Sequence, residues 1–253
     1  MPITVSAASN IQCGSTTLFS TTNNYLGEGT LSYTWSPSIG LSDSIIANPI
    51  AAPINNQTYT VTITSSEGCT ASATKSIIVD PLQITASPAI YNTTCGNLVN
   101  INTSNNSNNS GLTYSWSPAV GLNYPTISNP VAFIGNTSVY TVTLSLPNSG
   151  CADATATATV NVAAPATPSI CMVTVDSASQ NNIIYWNKTA YDSTDKFIVY
   201  RDISNNNYQP IGELPYSYLS QFVDTVRSLY AANGDPNVSS WRYKLSVMDS
   251  CGN

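Results

Sequence analysis

The segment Tyr33-Thr34-Trp35-Ser36-Pro37 returns 81 residues later as Tyr114-Ser115-Trp116-Ser117-Pro118. Other short motifs keep the same spacing. They are Gly40-Leu41 and Gly121-Leu122, Asn48-Pro49 and Asn129-Pro130, and Tyr59-Thr60-Val61-Thr62 and Tyr140-Thr141-Val142-Thr143. Because several independent motifs share one spacing, the chain contains two copies of a module of about 81 residues.

Within each copy, apolar and polar side chains alternate. In the segment 59–64, Tyr, Val and Ile occupy one face and Thr occupies the other. Tyr33 and Trp35 also share a face, and Pro37 ends that strand. Short strands separated by Gly, Pro, Asn and Ser turns, without helical spacing, predict an all-β protein made of β-sandwiches.

The chain after Pro168 follows a different plan but is still β-rich. In residues 241–247, Trp, Tyr, Leu and Val take one face of a predicted strand. Residues 162–168 contain two prolines and predict a short, stiff linker. We therefore expect three tandem modules, 1–81, 82–166 and 167–253, in an elongated rod. The tryptophans expected to anchor their cores are Trp35, Trp116, Trp186 and Trp241.

The composition excludes several classes of function. The chain has 253 residues, a net charge of −6, no histidine and only 8% charged residues, against roughly 25% in an average soluble protein. The absence of histidine removes the commonest general base and metal ligand, so we expect no enzyme activity. The acidic charge disfavours nucleic acid as a partner. No apolar run approaches the roughly 18 residues of a membrane span.

Six cysteines fall two to a module, which allows 15 pairings. Since a repeated fold should repeat its bridge, duplication favours a disulfide within each module. The expected pairs are Cys13–Cys69, Cys95–Cys151 and Cys171–Cys251. Zinc ligation is a poorer interpretation, because the cysteines lie far apart and histidine is absent. Disulfides predict an oxidising compartment, which is the cell surface, the periplasm or the outside of the cell.

The repeat motifs resemble the PKD-like, immunoglobulin-like repeats of large secreted Bacteroidetes surface proteins. The third module is similar to the fibronectin type III-like domains that often follow such repeats. Its matching positions are Trp186, Tyr200-Arg201, Phe222, Asp224-Thr225, Tyr243, Leu245, Val247 and Asp249-Ser250-Cys251-Gly252-Asn253. The resemblance implies export by the type IX secretion system and an adhesive or gliding-associated role. It does not imply one ligand.

Two departures from that family bear on the ends of the chain. No C-terminal sorting domain follows the third module, and the sequence reaches Asn253 before the last strand that a fibronectin-like fold needs. We interpret the chain as an internal slice of a longer repetitive protein, truncated before that strand. The alternative is that a neighbouring chain donates the strand.

Tyrosines in the turn-rich part of the third module are the candidate ligand contacts, because a flat ring with a hydroxyl suits sugars and rigid binding surfaces. They are Tyr208, Tyr216, Tyr218 and Tyr230.

The sequence contains two weaker kinds of candidate site. Asp192, Asp195 and Asp202 are a weak calcium-site candidate, although such residues are more often solvated turn formers; no other metal or cofactor is expected. Four short motifs resemble the O-glycosylation motif associated with exported Bacteroidetes proteins, at Ser44, Ser177, Ser193 and Thr225.

The sequence as a whole predicts a non-enzymatic stalk or adhesive segment of a secreted cell-surface protein. Its expected partners are other domains of the same polypeptide and a surface glycan or protein. Two alternatives stay open: a carbohydrate- or protein-binding module, and spacer domains of a secreted hydrolase.

Overall fold

The computed structural model describes residues 2–27, 29–178, 180–188, 194–226 and 240–252. All of the regular elements in these ranges are strands. No helix there is long and apolar enough to cross a membrane. The chain is an all-β protein of tandem β-sandwich type, as the alternating sequence pattern predicts.

Module one contains eight strands. They are β1 (Ile3–Ser6), β2 (Asn10–Gln12), β3 (Thr17–Leu18), β4 (Ser20–Asn23), β5 (Leu31–Ser36), β6 (Ile50–Ala51), β7 (Gln57–Ser65) and β8 (Thr70–Asp80). The main sheet has the order β2-β8-β7-β5, and two small sheets pair β1 with β4 and β3 with β6. Strand β2 runs parallel to β8, with Gln12 opposite Asp80.

Module two repeats this arrangement. Its strands are β9 (Ile84–Ala86), β10 (Ile90–Thr94), β11 (Leu98–Asn100), β12 (Thr103–Asn105), β13 (Thr113–Ser117), β14 (Val131–Phe133), β15 (Ser138–Ser145) and β16 (Ala154–Ala163). The main sheet is β10-β16-β15-β13. Strand β10 again runs parallel to the last long strand, with Thr94 opposite Ala163.

Module three has two three-stranded sheets, β17-β18-β21 and β20-β19-β22. The strands are β17 (Ile170–Val175), β18 (Asn182–Trp186), β19 (Thr194–Ser204), β20 (Asn207–Pro215), β21 (Gln221–Asp224) and β22 (Tyr243–Asp249). All of these strand pairs are antiparallel. Register shifts mark β-bulges or other irregularities along β19 in its pairing with both β20 and β22.

Each module has its own apolar cluster with a buried tryptophan. Trp35 stacks on Phe19 at 4.6 Å between ring centroids, Trp116 packs in the second cluster, and Trp186 lies 5.3 Å from Phe197 in the third. The indoles of Trp35 and Trp116 each donate a 2.9 Å hydrogen bond to a backbone carbonyl eleven residues downstream. The repeated fold therefore repeats its core contact.

Trp241 differs from the expected core anchor. It precedes β22, is only half-buried, and its ring covers the Arg201 guanidinium at 4.9 Å. Because the ring lies over a charged group, it contributes a cation–π contact.

Two equivalent tyrosines close the sandwiches of modules one and two. Tyr59 and Tyr140 are fully buried, and their hydroxyls donate to the carbonyls of Ile39 (2.9 Å) and Val120 (3.1 Å). Burial raises the pKa of both phenols, and a hydrogen bond from Ser138 partly offsets the rise at Tyr140. Each hydroxyl thus ties a main-sheet strand to the loop that follows the Ser-Pro motif.

We expect the stability of these two modules to fall in alkaline solution. A tyrosine with a raised folded-state pKa stabilises the fold fully below the ordinary value of about 10, and that contribution is lost as pH rises toward the folded-state pKa. Urea unfolding at about pH 7 and about pH 11, with the free thiols alkylated, measures the loss. At neutral pH the double substitution Tyr59→Phe/Tyr140→Phe should lower the free energy of unfolding by about 1 kcal/mol per lost hydrogen bond. It should also make the free energy of unfolding fall less between neutral and alkaline pH. Tyr124→Phe, at an exposed ring, is the control; an unchanged decline in the double variant would contradict the prediction.

Candidate functional site at the module junctions

The two disulfides of the structure join different modules. Cys13 of module one is bonded to Cys151 of module two, and Cys95 of module two is bonded to Cys251 of module three. The Cα atoms lie 5.9 Å and 6.0 Å apart, within the usual range for a disulfide. Both cysteine positions of module two are therefore used to hold its neighbours.

This arrangement corrects the expected pairs Cys13–Cys69 and Cys95–Cys151, because the two cysteines of one module lie at opposite ends of its longest strand. Cys13 follows β2, and its amide donates to the carbonyl of Asp80, the last residue of β8. Cys69 lies in the turn just before β8 begins. Eleven residues of strand span roughly 35 Å, several times the distance a disulfide can bridge.

The third expected pair, Cys171–Cys251, is also wrong. Cys171 lies in β17 and Cys251 follows β22, and these strands belong to different sheets of module three. Cys251 is bonded to Cys95 instead. Among the cysteines of the described ranges, Cys69 and Cys171 are free and exposed.

The first junction is closed by contacts from two loops of module two. Asn109 donates from Nδ2 to the Cys13 carbonyl at 3.4 Å, and Asn106 donates from Nδ2 to the carbonyl of Pro81 in the linker at 3.0 Å. Leu146 lies directly on Gly14, where a Cβ would overlap the leucine side chain. Gly14 also has a φ of +82°, so both the lack of space for a Cβ and the backbone conformation favour glycine here. Cys151 itself packs against the apolar cluster of module one.

The second junction brings the end of module three against module two. The Cys95 sulfur lies 3.2 Å from the hydroxyl of Ser250, and Gly135 leaves room for the side chain of Cys251. The carboxylate of Asp249 accepts a 2.9 Å hydrogen bond from the Cys251 amide and fixes the turn that carries this cysteine. Cys95, Asp249 and Cys251 also form a cluster of metal-ligating types, but both sulfurs are committed to the disulfide.

The structure places the candidate tyrosines in different surroundings. Tyr216 packs against the third core beneath the ammonium of Lys188, which lies 4.4 Å from the ring centroid. Tyr208 is half-buried, whereas Tyr218 is 62% exposed. Tyr230 lies outside the described residues. Of the expected contact surface, Tyr218 is therefore the described tyrosine that solvent reaches most freely.

The calcium candidate is not assembled as expected. Asp195 and Asp202 are seven residues apart on one strand, β19, and so lie roughly 23 Å from each other. Asp202 is buried and paired with Arg242 at 2.6 Å. Asp192 lies outside the described residues.

The candidate glycosylation residues have mixed exposure. Ser177 and Thr225 are exposed, and Ser44 is half-buried while its carbonyl accepts a hydrogen bond from the amide of Trp35. Ser193 lies outside the described residues.

Sequence reasoning did not identify the buried polar cluster of module three. Arg201 on β19 and Asp224 on β21 form an ion pair at 2.8 Å, with side-chain exposures of 3% and 0%. The Tyr243 hydroxyl donates to the same carboxylate at 2.8 Å and accepts a hydrogen bond from Asn182. Burial and the nearby Asp224 charge raise the pKa of Tyr243. The cluster links both sheets of this module through one carboxylate.

Replacing Asp224 by Asn should destabilise module three by about 3–5 kcal/mol, because the Arg201 charge is left buried without its counter-ion. The matched control is Glu213→Gln, which removes the partner of Lys196 in an exposed ion pair and should cause no measurable change. Denaturant unfolding followed by tryptophan fluorescence measures both. Equal effects of the two substitutions would contradict a structural role for the buried pair.

Replacing Cys13 by Ser should release one new thiol, and that thiol should be Cys151. Alkylation of the folded, unreduced protein followed by mass spectrometry identifies it, against a background of Cys69 and Cys171 in the parent chain. Cys171→Ser is the control and should release none. Appearance of no thiol at Cys151 would show that Cys13 is bonded elsewhere.

No protein-family profile and no curated protein matches this sequence. Among solved structures, the chain is similar to the FN1–FN3 domains of chicken CNTN1, with 14% identity, a TM-score of 0.29, and coverage of 99% of this chain and 93% of that one. It is also similar to a Dscam structure, with 11% identity, a TM-score of 0.30, and coverage of 63% of this chain and 47% of that one. A third similar structure is the C-terminal fragment of intimin in complex with the intimin-binding domain of its receptor, with 14% identity, a TM-score of 0.28, and coverage of 66% of this chain and 67% of that one. The chain spans about half the length of the Dscam structure. At these scores no neighbour indicates a ligand or an activity for this chain.

Proposed function

We propose that this chain is a non-enzymatic stalk segment of a secreted cell-surface protein, which holds an adhesive or anchoring element at a distance from the cell. The observation that carries the proposal is the pair of overlapping disulfides between modules. A domain that only needs stability gains it from a bridge inside its own fold. A bridge between neighbours instead restricts their relative motion, which is what a spacer requires.

The overlap of the two covalent loops makes the three modules one cross-linked unit. One bridge closes residues 13–151 and the other closes residues 95–251, so residues 95–151 belong to both loops. Three chain segments therefore run in parallel between the two bridges. The shortest is the 56-residue segment from Cys95 to Cys151 in module two.

Tension applied to the two ends of the chain consequently acts between the two bridges. It enters through Cys13, is shared among the three parallel segments, and leaves through Cys251. The bridges cannot separate further than the 56-residue segment allows. Modules one and three, which lie in the longer segments, therefore cannot be drawn out to their full lengths while both bridges hold.

The chemistry of the chain supports an extracellular setting. Two disulfides persist only where the surroundings are oxidising, and a surface rich in hydroxyls and amides, with 8% charged residues, depends little on ion pairs. The resemblance of the repeats to PKD-like repeats supports export by the type IX system and a Bacteroidetes origin. The partners of the segment are then other domains of its own polypeptide and the glycan or protein bound at the distal end.

The mechanical proposal predicts a short extension under force. Pulled by its two ends, the oxidised chain should lengthen between its bridges by no more than the shortest segment allows, roughly 200 Å when fully extended. After reduction the whole segment from Cys13 to Cys251 becomes extensible, and the total should reach roughly 800 Å. Single-molecule force spectroscopy with and without reductant measures both lengths.

The double variant Cys69→Ser/Cys171→Ser is the matched control, because it removes the two free thiols and keeps both bridges. It should behave like the parent chain. An oxidised protein that extends by as much as the reduced protein would contradict the proposed function, since the bridges would then not restrict the modules.

A further inference from the structure

Two cysteine positions recur in the repeats, and we name them by the neighbour they face. The outgoing position faces the next module along the chain and follows the parallel edge strand, as at Cys13 and Cys95. The incoming position faces the preceding module. The incoming position of module two, Cys151, lies in the turn before the long strand β16. Cys69 occupies the same place in module one, 82 residues earlier, and each of these two cysteines follows a glycine of positive φ. Module one therefore carries an incoming position.

The surroundings of the two incoming positions differ in what covers them. In module two, a Cβ placed on Gly150 would contact Ile54 of module one at 3.4 Å. In module one, nothing lies within 4 Å of the equivalent position on Gly68, and the Cys69 thiol is free and exposed.

The neighbouring loop shows the same contrast. In module two the loop between β12 and β13 carries Asn109, which binds the Cys13 carbonyl. The corresponding loop of module one, between β4 and β5, carries Leu26, which is 97% exposed. At this end of module one, residues equivalent to those covered at the first junction are therefore exposed.

We propose that the incoming end of module one, with Cys69 at its centre, docks a further module of the same repeat type and forms a disulfide with that module's outgoing cysteine. The partner is defined by its chemistry: a parallel edge strand that ends in a cysteine beside the last residue of the long strand, as in module one itself. The equivalent Cys151, bonded in this structure, is the precedent for the bond.

Formation of this bond is a two-electron oxidation of two thiols. In the test below the oxidant is glutathione disulfide. The outgoing thiolate attacks it and releases one glutathione thiol, and the Cys69 thiolate then attacks the mixed disulfide and releases the second. Two protein thiols and one glutathione disulfide thus give one protein disulfide and two glutathione thiols.

The test joins one additional copy of residues 1–81 directly ahead of the full chain. The new connection Pro81-Met1-Pro2-Ile3 has the same length as the natural Pro81-Leu82-Gln83-Ile84, so the added copy is offered to module one in the natural register. After oxidation with glutathione disulfide, unreduced peptides are mapped by mass spectrometry. The expected result is a peptide that joins Cys13 of the added copy to Cys69 of the original module, with loss of alkylation at that Cys69.

The bonds Cys13–Cys151 and Cys95–Cys251 in the same molecule report that the original modules are folded. If they form while the original Cys69 remains fully alkylated, or if Cys69 pairs with another chain's Cys69, the proposal is overturned. A tandem with Cys69→Ser in the original module should leave Cys13 of the added copy alkylated. The assay detects a covalent bond without applying force, so its outcome is independent of the mechanical role proposed above.

Discussion

The structure depends on one geometric constraint: the long strand of each repeat separates the module's two cysteines by the length of the module. In module one β8 runs from beside Cys69 to beside Cys13, and in module two β16 separates Cys151 from Cys95 in the same way. No bridge can close within such a module, because the two sulfurs lie at opposite ends. Each sulfur is instead presented to a neighbouring module, and the arrangement propagates from repeat to repeat.

The disulfides couple the modules covalently, and noncovalent contacts seat the junctions around them. Each module has its own apolar cluster with its own aromatic residues, and Cys151 packs against the clusters of both module one and module two. At the first junction, two amide side chains and the Leu146–Gly14 contact seat the modules. At the second, the contact centres on Cys251 and Ser250. The covalent links restrict hinge motion at both junctions, since interfaces within a chain default to mobility.

The fold could be predicted from the sequence because it depends on the local alternation of apolar and polar residues. Alternation along residues 59–64 matches the buried and half-buried faces of β7, and the repeated Tyr-x-Trp-Ser-Pro motif places Trp35 and Trp116 in equivalent cores. The disulfide pairs were missed for a physical reason. Duplication establishes that Cys13 and Cys95 are equivalent, but it does not reveal the parallel pairing of β2 with β8, which moves Cys13 to the far end of the module.

The polar cluster of module three shows the same limit. Arg201, Asp224 and Tyr243 come from three strands of two sheets, and their sequence separations carry no pattern. The fibronectin-like resemblance includes all three positions but does not pair them. A further signal was that charged residues are rare in this chain, so a charge between apolar positions, as at Arg201 in β19, indicates a buried partner. Trp241 was assigned to the core on alternation alone, whereas its ring lies over that charge.

The central claim, that the modules are joined covalently through their side chains, is tested most directly by cutting the backbone between them. A protease site inserted between Pro81 and Leu82 opens the linker of the oxidised protein. If Cys13 is bonded to Cys151, the cut protein stays one covalent species on a denaturing gel and separates into two fragments only when a reductant is added. Separation into two fragments without reductant would contradict the account, because it would mean that no disulfide crosses the first junction.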